Sequence, residues 1–228
     1  YVNGKFVGHY PSVYNHFSYD ITEFLNKDGS ENTIAVQVTN KQPSSRWYSG
    51  SGIYRDVTLS YRDKVQVAEN GNHITTPKLA EQKDGNVETQ IQSKIKNTAK
   101  TLAKVFVEQQ IFTKEGKAVS DLVRSVTKNL SGNETADFKQ TILVNKPTLW
   151  TTKSYHPQLY VLKTKVYNEG QLVDVTEDIF GYRYFNWTAK DGFSLNGERM
   201  KFHGVSIHHD NGALGSEENY KATYRKLK

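Results

Sequence analysis

The strongest constraint on this chain is a series of segments in which apolar and polar residues alternate. Three of them cover residues 87–95, 105–111 and 160–167. Successive side chains of a strand point to opposite faces of the sheet, so this pattern predicts strands with one buried and one solvated face. Turns are predicted between the strands at Asp84-Gly85, Glu115-Gly116, Ser131-Gly132-Asn133 and Glu169-Gly170. The middle of the chain is therefore predicted to be a β-sandwich.

About seven short strands over residues 63–181 are typical of an immunoglobulin-like sandwich. We expect Trp150, in the segment Lys146–Trp150, to fill its core. The chain has no cysteine. Disulfides, zinc–thiolate sites and cysteine nucleophiles are therefore excluded, and the sandwich is not of the antibody type.

The positive charge of the chain is spread thinly. The formal net charge is +6, yet residues 1–62 carry six basic against five acidic side chains, residues 63–181 sixteen against fourteen, and residues 182–228 eight against five. Binding along a phosphate backbone needs a concentrated basic surface, so no nucleic-acid partner is predicted. No apolar run approaches the roughly 18–20 residues of a membrane span, and no signal-peptide leader opens this stretch.

An aromatic, glycine-rich loop precedes an alternating segment at residues 53–61, which we expect to be a strand. Trp47 and Tyr48 offer flat apolar faces, Arg46 offers a fork of donors, and the glycines let the backbone approach a ligand. Sugar recognition needs these features together. A buried aromatic corner of a sandwich would use the same residues. Residues 34, 36 and 38, on an earlier predicted strand, are expected to point inward.

The last part of the chain changes pattern after Gly181. Residues 193–202 predict a hairpin around Asn196-Gly197, whose second strand continues through residue 210. A helix follows, with Ser216 as its predicted cap. Its apolar stripe falls on Tyr220, Tyr224 and Leu227. One strand, loop and helix cannot bury their own faces, so we expect both ends of the chain to belong to incomplete domains.

Several motifs occur in an order that carries a resemblance. They are Val2–Lys5 with Phe17–Thr22, Gly52–Val57, Pro147–Trp150, Gly181–Arg183, and Leu195–Glu198 with Phe202–His208. Together they resemble the glycoside hydrolases of family two, which include bacterial β-galactosidases and β-glucuronidases. Within that family, the chain looks most like the large surface β-galactosidases of streptococci.

The resemblance implies a mainly β protein with three domains. Residues 1–62 would be the C-terminal part of a jelly-roll sugar-binding domain, and residues 63–181 a complete immunoglobulin-like sandwich. Residues 182–228 would be the first strand and helix of a truncated (β/α)₈ barrel. The parent would be a retaining enzyme that hydrolyses terminal β-galactosides, with a β-galactoside or glycan as its partner. It would be a secreted or cell-surface protein.

The same resemblance places the catalytic pair of glutamates beyond residue 228. The stretch would then contain no catalytic residue and no cofactor and would be inactive alone, and a metal in the parent barrel is left open. His208 matches the family histidine of the Gly-Val-x-x-His pattern that contacts the sugar. Some members place an aspartate in the loop before Gly52, but residues 32–55 contain no Asp or Glu. If that loop reaches the pocket, Arg46, Trp47 or Tyr48 would have to make that contact.

Other residues favour structural roles. His208, His209 and Asp210 are adjacent in the sequence, and adjacent strand residues point to opposite faces, so a metal site there is disfavoured. Asn133-Glu134 imitates the family's Asn-Glu pair but is predicted to be a solvated turn, and Arg183 a buried structural arginine. Two alternatives remain for the whole chain: a stand-alone carbohydrate-binding or adhesion module, and a β-glucuronidase or β-mannosidase parent.

Overall fold

A computed structural model describes residues 1–12, 15–41, 51–53, 55–153, 157–207 and 219–228. The chain divides into two compact units. Leu59–Gly204 form one, here called the sandwich unit, and Tyr1–Thr58 with Val205–Lys228 form the other, here called the terminal unit. All strands of the described residues lie in the sandwich unit.

The sandwich unit consists of antiparallel strands with one short helix, α1 (Leu79–Gln82). The strands are β1 (Val65–Thr75), β2 (Asn86–Asn97), β3 (Ala103–Thr113), β4 (Val123–Arg124), β5 (Lys128–Leu130), β6 (Thr135–Asn145), β7 (Tyr160–Asn168), β8 (Gln171–Phe180), β9 (Phe185–Thr188), β10 (Gly192–Leu195) and β11 (Glu198–Arg199). The first sheet has the order β1-β2-β6 and the second β4-β3-β7-β8, with β5 also paired to β3. A third, the hairpin sheet, has the order β9-β10-β11. The strands predicted from residues 87–95, 105–111 and 160–167 are confirmed as β2, β3 and β7.

Two apolar clusters fill the space between the first and second sheets, and both sheets contribute to each. The first cluster contains Val65, Val67, Ile95, Ala103, Val105, Val107, Leu130, Phe138 and Val166. The second contains Leu79, Val87, Ile91, Ile111, Ile142, Val144, Tyr160, Leu162 and Tyr182. A core shared by two antiparallel sheets is a sandwich-like arrangement. The sequence prediction of a mainly β, sandwich-type protein is confirmed at that level, and the immunoglobulin-like class stays a prediction.

A layer of polar side chains separates the two apolar clusters. Gln109, fully buried, donates from Nε2 to the hydroxyls of Ser93 and Thr164, at 2.9 Å each. Gln140 donates from its own Nε2 to Gln109 Oε1 at 2.7 Å. Ser93 in turn donates to Asn72 Oδ1 at 2.6 Å. We call these five residues the polar belt. Four of them stand between an apolar residue of each cluster on β2, β3, β6 and β7.

Asn72 extends the polar belt to the edge of the second sheet. Its Nδ2 donates to Asp178 Oδ2 at 2.6 Å and to Thr176 Oγ1 at 3.2 Å. Within the described part of the chain, Gln140 Oε1 is the one buried side-chain polar atom without a hydrogen-bond partner. Leaving such an atom unpaired costs about 1–3 kcal/mol, so the belt stabilises the core only when its members bond one another.

A bulge in β1 brings Asn72 into the belt. The pairing of β1 with β2 shifts between Val67, opposite Ile95, and Asn72, opposite Ser93. Gly71 lies inside the bulge, where an added Cβ would come within 2.7 Å of Ala68 O. Only glycine fits so close to the backbone.

Asp174 joins the two sheets at the open side of the sandwich. It is 9% exposed, it accepts a hydrogen bond from Val67 N at 2.9 Å, and its Oδ2 lies 3.6 Å from Arg62 Nη1. The buried carboxylate thus has both a backbone donor and a cation, as a buried charge requires.

Tyr182 fills the end of the core instead of Trp150. Tyr182 is fully buried, whereas Trp150 is half-buried. The Tyr182 hydroxyl lies 2.8 Å from Thr89 Oγ1, and its ring meets that of Tyr160 edge-on at 5.0 Å. The prediction for Trp150 is wrong because the inward period of β8 continues two residues past Phe180, directing Tyr182 inward. Burial raises the pKa of Tyr182.

The terminal unit has little strand pairing among its described residues. Val2 forms isolated bridges with Lys5 and Ile34. Ile34 is 56% exposed, and Val36 and Val38 are exposed as well, so their predicted inward orientation is wrong. The described residues of 53–61 form no strand, since a strand needs a partner for its backbone groups. The jelly-roll assignment stays a prediction.

The predicted C-terminal helix is confirmed as α2 (Tyr220–Leu227). Its cap is Asn219, whose side chain accepts a hydrogen bond from Ala222 N, while the predicted cap Ser216 lies outside the described residues. The rings of Tyr220 and Tyr224 stack at 6.1 Å, and the apolar stripe is exposed.

The polar belt predicts an unusual pattern of stability changes. Gln109→Leu removes the acceptor of Gln140 Nε2 and the donor to two hydroxyls, so it should lower the free energy of unfolding by about 2–4 kcal/mol. The double variant Gln109→Leu/Gln140→Leu removes both bonded amides and should cost less than the single change. Urea denaturation measures both. A double variant that loses the sum of the two single losses would contradict the belt.

The buried Tyr182 predicts a loss of stability in alkali. The pKa of Tyr182 is higher in the folded chain than in the unfolded chain, where it is about 10. The neutral phenol therefore stabilises the folded chain fully below about pH 10, and this contribution is lost as the pH rises further. The free energy of unfolding of the unmodified chain should therefore fall more steeply above about pH 10 than that of Tyr182→Phe. Parallel slopes for the two proteins in denaturant titrations would refute this.

Candidate functional site

The sequence-predicted sugar contacts cannot be located in this structure. Arg46, Trp47, Tyr48 and His208 all lie outside the described residues. Their assignment stays a prediction, as do the neighbouring roles weighed for His209 and Asp210.

Three of the segments that carry the family resemblance meet at one end of the sandwich unit. They are Pro147–Trp150, Gly181–Arg183 and the hairpin turn Leu195–Glu198, and we call the place where they meet the junction. Trp150 N donates to Tyr182 O at 2.8 Å. A Cβ added to Gly181 would lie 3.0 Å from Trp150 Cβ, so glycine lets the indole pack against the backbone.

Aromatic and cationic side chains complete the junction. The Arg183 guanidinium lies 4.8 Å from the centre of the Trp150 ring, in cation–π geometry. Arg183 is exposed, so its prediction as a buried arginine is wrong. Tyr160 accepts a hydrogen bond from Thr148 N at 2.9 Å, which ties the segment before Trp150 to the core.

One asparagine connects the hairpin turn to the rest of the junction. Asn196 has φ +52° and Gly197 φ +83°, which confirms the predicted Asn-Gly turn. Asn196 N donates to Tyr184 O at 2.8 Å, and Tyr184 N donates to Asn196 Oδ1 at 3.2 Å. Asn196 Nδ2 donates to Trp150 O at 2.9 Å. A single side chain thus holds the turn to two separate segments, and Lys153 pairs with Glu198 beside it.

The hairpin sheet presents an exposed aromatic face. Phe185, Trp187 and Phe202 are each more than 60% exposed. Phe193 links them, with its ring centre 4.7 Å from that of Phe202 and 5.9 Å from that of Trp187. Large exposed apolar patches mark surfaces that contact further polypeptide, a membrane or a ligand.

An exposed turn and a surface depression hold further polar groups in the described ranges. Glu134 Oε2 accepts from Ser131 N at 2.7 Å in an exposed turn, which confirms the structural reading of Asn133-Glu134. A depression of about 350 Å³ on the first sheet is lined mainly by polar side chains, among them His73, Gln92 and Lys139. Among the residues described, no three His, Cys, Asp or Glu are grouped to hold a metal ion.

Helices in the described ranges are too short or too polar to cross a bilayer.

The Asn196 contacts predict a local loosening in one variant. Asn196→Ala removes two side-chain hydrogen bonds, so amide exchange across residues 185–204 should speed up about tenfold or more while β2 stays protected. Hydrogen exchange with mass spectrometry measures both regions. Asn186→Ala, on the exposed surface of β9, is the matched control and should leave exchange unchanged. Equal protection in Asn196→Ala and the unmodified chain would disprove the role of Asn196.

Comparison with known proteins finds similarity to one family of glycosidases. Residues 71–183 match the family model for glycosyl hydrolases family 2. The whole chain is 37% identical, over 228 residues, to the beta-galactosidase BoGH2A of Bacteroides ovatus, and covers 26% of that protein. It superposes on the crystal structure of a glycosyl hydrolase family 2 member from Bacteroides cellulosilyticus with a TM-score of 0.87 and 32% identity, covering 100% of this chain and 30% of that one.

A further solved relative carries an inhibitor. It is Bacteroides uniformis beta-glucuronidase 2, covalently bound to cyclophellitol-6-carboxylate aziridine, with a TM-score of 0.80, 29% identity, and coverage of 100% of this chain and 28% of that one. The curated relatives include both β-galactosidases and β-glucuronidases, and the chain spans between about a fifth and a quarter of the length of three of them. The narrower resemblance to streptococcal surface enzymes stays a prediction. The segment that matches the family model, residues 71–183, runs from the β1 bulge to Arg183 in the junction.

Proposed function

We propose that this chain is a non-catalytic part of a retaining glycosidase that hydrolyses terminal β-galactosides. The observation that carries the proposal is the junction. Motifs that resemble the family at three distant points of the sequence are held together there by Asn196 and Trp150. The contacts between these motifs support a common structural role for them. The match to a β-galactosidase over the whole chain supports the substrate class.

The proposed layout keeps three domains. Residues 63–181 would form an immunoglobulin-like sandwich, which the strand orders of its two sheets support. Residues 1–62 would close a jelly roll, and residues 182–228 would begin a (β/α)₈ barrel. The exposed aromatic face of the hairpin sheet suits a surface that further polypeptide covers, and relatives about four times as long supply such polypeptide.

The chemistry assigned to the parent is retaining hydrolysis. It needs two carboxyl groups about 5–5.5 Å apart, one as nucleophile and one as acid and base. In the proposal both are glutamates beyond residue 228. The covalent inhibitor complex of the Bacteroides uniformis enzyme supports a family mechanism with an enzyme nucleophile.

This chain would bind and orient the sugar. A flat ring of Trp47 or Tyr48 would pack on the apolar face of the pyranose, while Arg46 and His208 would hydrogen-bond its hydroxyls. The chain leads from the hairpin turn at Asn196 to His208 within twelve residues. The hydrogen bonds that hold Asn196 would therefore fix the position from which the chain runs toward His208.

A β-glucuronidase parent is the second candidate, since glucuronidases are prominent among the relatives. A glucuronide adds a carboxylate at C6, which calls for an additional cation in the pocket. A stand-alone carbohydrate-binding module is a third reading, in which the isolated chain would itself bind sugar.

The fragment proposal predicts where activity resides. The purified 228-residue chain should not hydrolyse nitrophenyl β-galactoside, because the proposal places both reacting carboxyl groups beyond residue 228. The full-length protein should hydrolyse it, and prefer it to nitrophenyl β-glucuronide by kcat/KM.

Each alternative has its own signature in the same assays. Turnover by the purified chain would overturn the fragment proposal. Preference of the full-length protein for the glucuronide would move the function to the second candidate. An inactive full-length protein with saturable galactoside binding by the chain alone would favour the binding module.

A further inference from the structure

Asparagine is followed by glycine at Asn3, Asn70, Asn196 and Asn211, and the first three pairs lie within the described residues. This pair is the one most prone to spontaneous deamidation, because glycine offers no side chain to block attack by its own backbone nitrogen. What decides the rate in a folded chain is whether the asparagine side chain is free to meet that nitrogen.

The three described asparagines share a positive φ angle. Their φ angles are +50° at Asn3, +50° at Asn70 and +52° at Asn196. Differences between them therefore come from the side chain and from the glycine that follows. This makes the three pairs a controlled comparison inside one molecule.

Two of the three side chains are held at both polar atoms. Asn3 donates from Nδ2 to Phe24 O at 2.9 Å and to Asn32 Oδ1 at 2.8 Å, and its Oδ1 accepts from Thr33 N at 2.9 Å. Asn196 is held by Tyr184 N and Trp150 O. These bonds must break before either amide carbon can be attacked.

Asn70 is different. Its side chain is exposed and has no hydrogen-bond partner among the described residues. It projects from the β1 bulge, next to Gly71.

We propose that Asn70 is a site of spontaneous deamidation and isomerisation. The Gly71 backbone nitrogen attacks Asn70 Cγ, a new N–C bond forms, and the Cγ–Nδ2 bond breaks. Ammonia leaves, taking up the proton released by the Gly71 amide. Water then opens the cyclic imide at either carbonyl, giving aspartate or isoaspartate. One water is consumed and one ammonia is released, with no change of oxidation state.

The position of Asn70 gives the reaction a structural consequence. Isoaspartate inserts an additional methylene into the main chain two residues before Asn72, which anchors the polar belt. The bulge has little room to adapt, because Gly71 packs against Ala68 O and Lys94 O. Isomerised chains should therefore unfold at lower urea concentration.

Peptide mapping tests the proposal on the intact chain. The folded 228-residue protein is aged in mildly alkaline buffer, cut with trypsin, and analysed for isoaspartate in peptide 65–78 and in the peptides that contain Asn3 and Asn196. Modification at Asn70 should be about tenfold to a hundredfold faster than at the other two, since each of those must first break two or more hydrogen bonds. In concentrated urea the three rates should become similar.

Two results would overturn the proposal: equal or faster modification of Asn3 or Asn196 in the folded chain, or an Asn70 that reacts only in urea. Asn70→Gly is the matched variant, because glycine accepts a φ of +50° and has no amide to lose. It should abolish both the modification in this peptide and the accompanying shift of the urea midpoint. If ageing shifts the urea midpoint of Asn70→Gly as much as that of the unmodified chain, the shift does not arise at residue 70. That result would refute the structural consequence.

Discussion

The sandwich depends on one constraint: polar side chains in its core must bond one another. Gln109 stands between the two apolar clusters and joins Ser93 on the first sheet to Thr164 on the second. A shift of two residues would keep the same face of β3 inward, but it would move Gln109 away from Ser93 and Thr164. The polar belt therefore specifies the alignment of the sheets, while the apolar clusters supply most of the favourable burial.

The junction, like the core, is held together by hydrogen bonds between separate segments of the chain. Trp150, Tyr182 and Asn196 come from three segments that are distant in sequence, and each satisfies a backbone or side-chain group of another. In this part of the chain, the motifs that resemble the glycosidase family thus have packing and hydrogen-bonding roles and no role in a reaction step. That agrees with a proposed role as scaffold and pocket wall, with the reacting carboxylates elsewhere.

Alternation was sufficient to predict β2, β3 and β7, because the inward positions of each strand are buried almost without exception. Alternation did not predict the polar belt, because a glutamine at an inward position breaks the apolar–polar pattern. Only the structure shows the hydrogen-bond partners that such a glutamine needs. Trp150 is only half-buried, because Tyr182 continues the inward period of β8 and fills the end of the core. In the terminal unit, residues 34–38 alternate well but remain exposed, because the pattern does not supply a partner strand. Of the predicted sugar contacts, His208 rests on resemblance alone, whereas Arg46, Trp47 and Tyr48 also rest on the side-chain chemistry of their loop.

We propose that this chain shapes a sugar site whose nucleophile lies outside it. The most direct measurement is a crystal structure of the full-length protein after reaction with a galactose-configured cyclophellitol aziridine. We expect a covalent bond to a glutamate beyond residue 228, with His208 within hydrogen-bond distance of the inhibitor ring. A bond to any residue of this chain, or an inhibitor that His208 and the Arg46–Tyr48 loop do not touch, would contradict it.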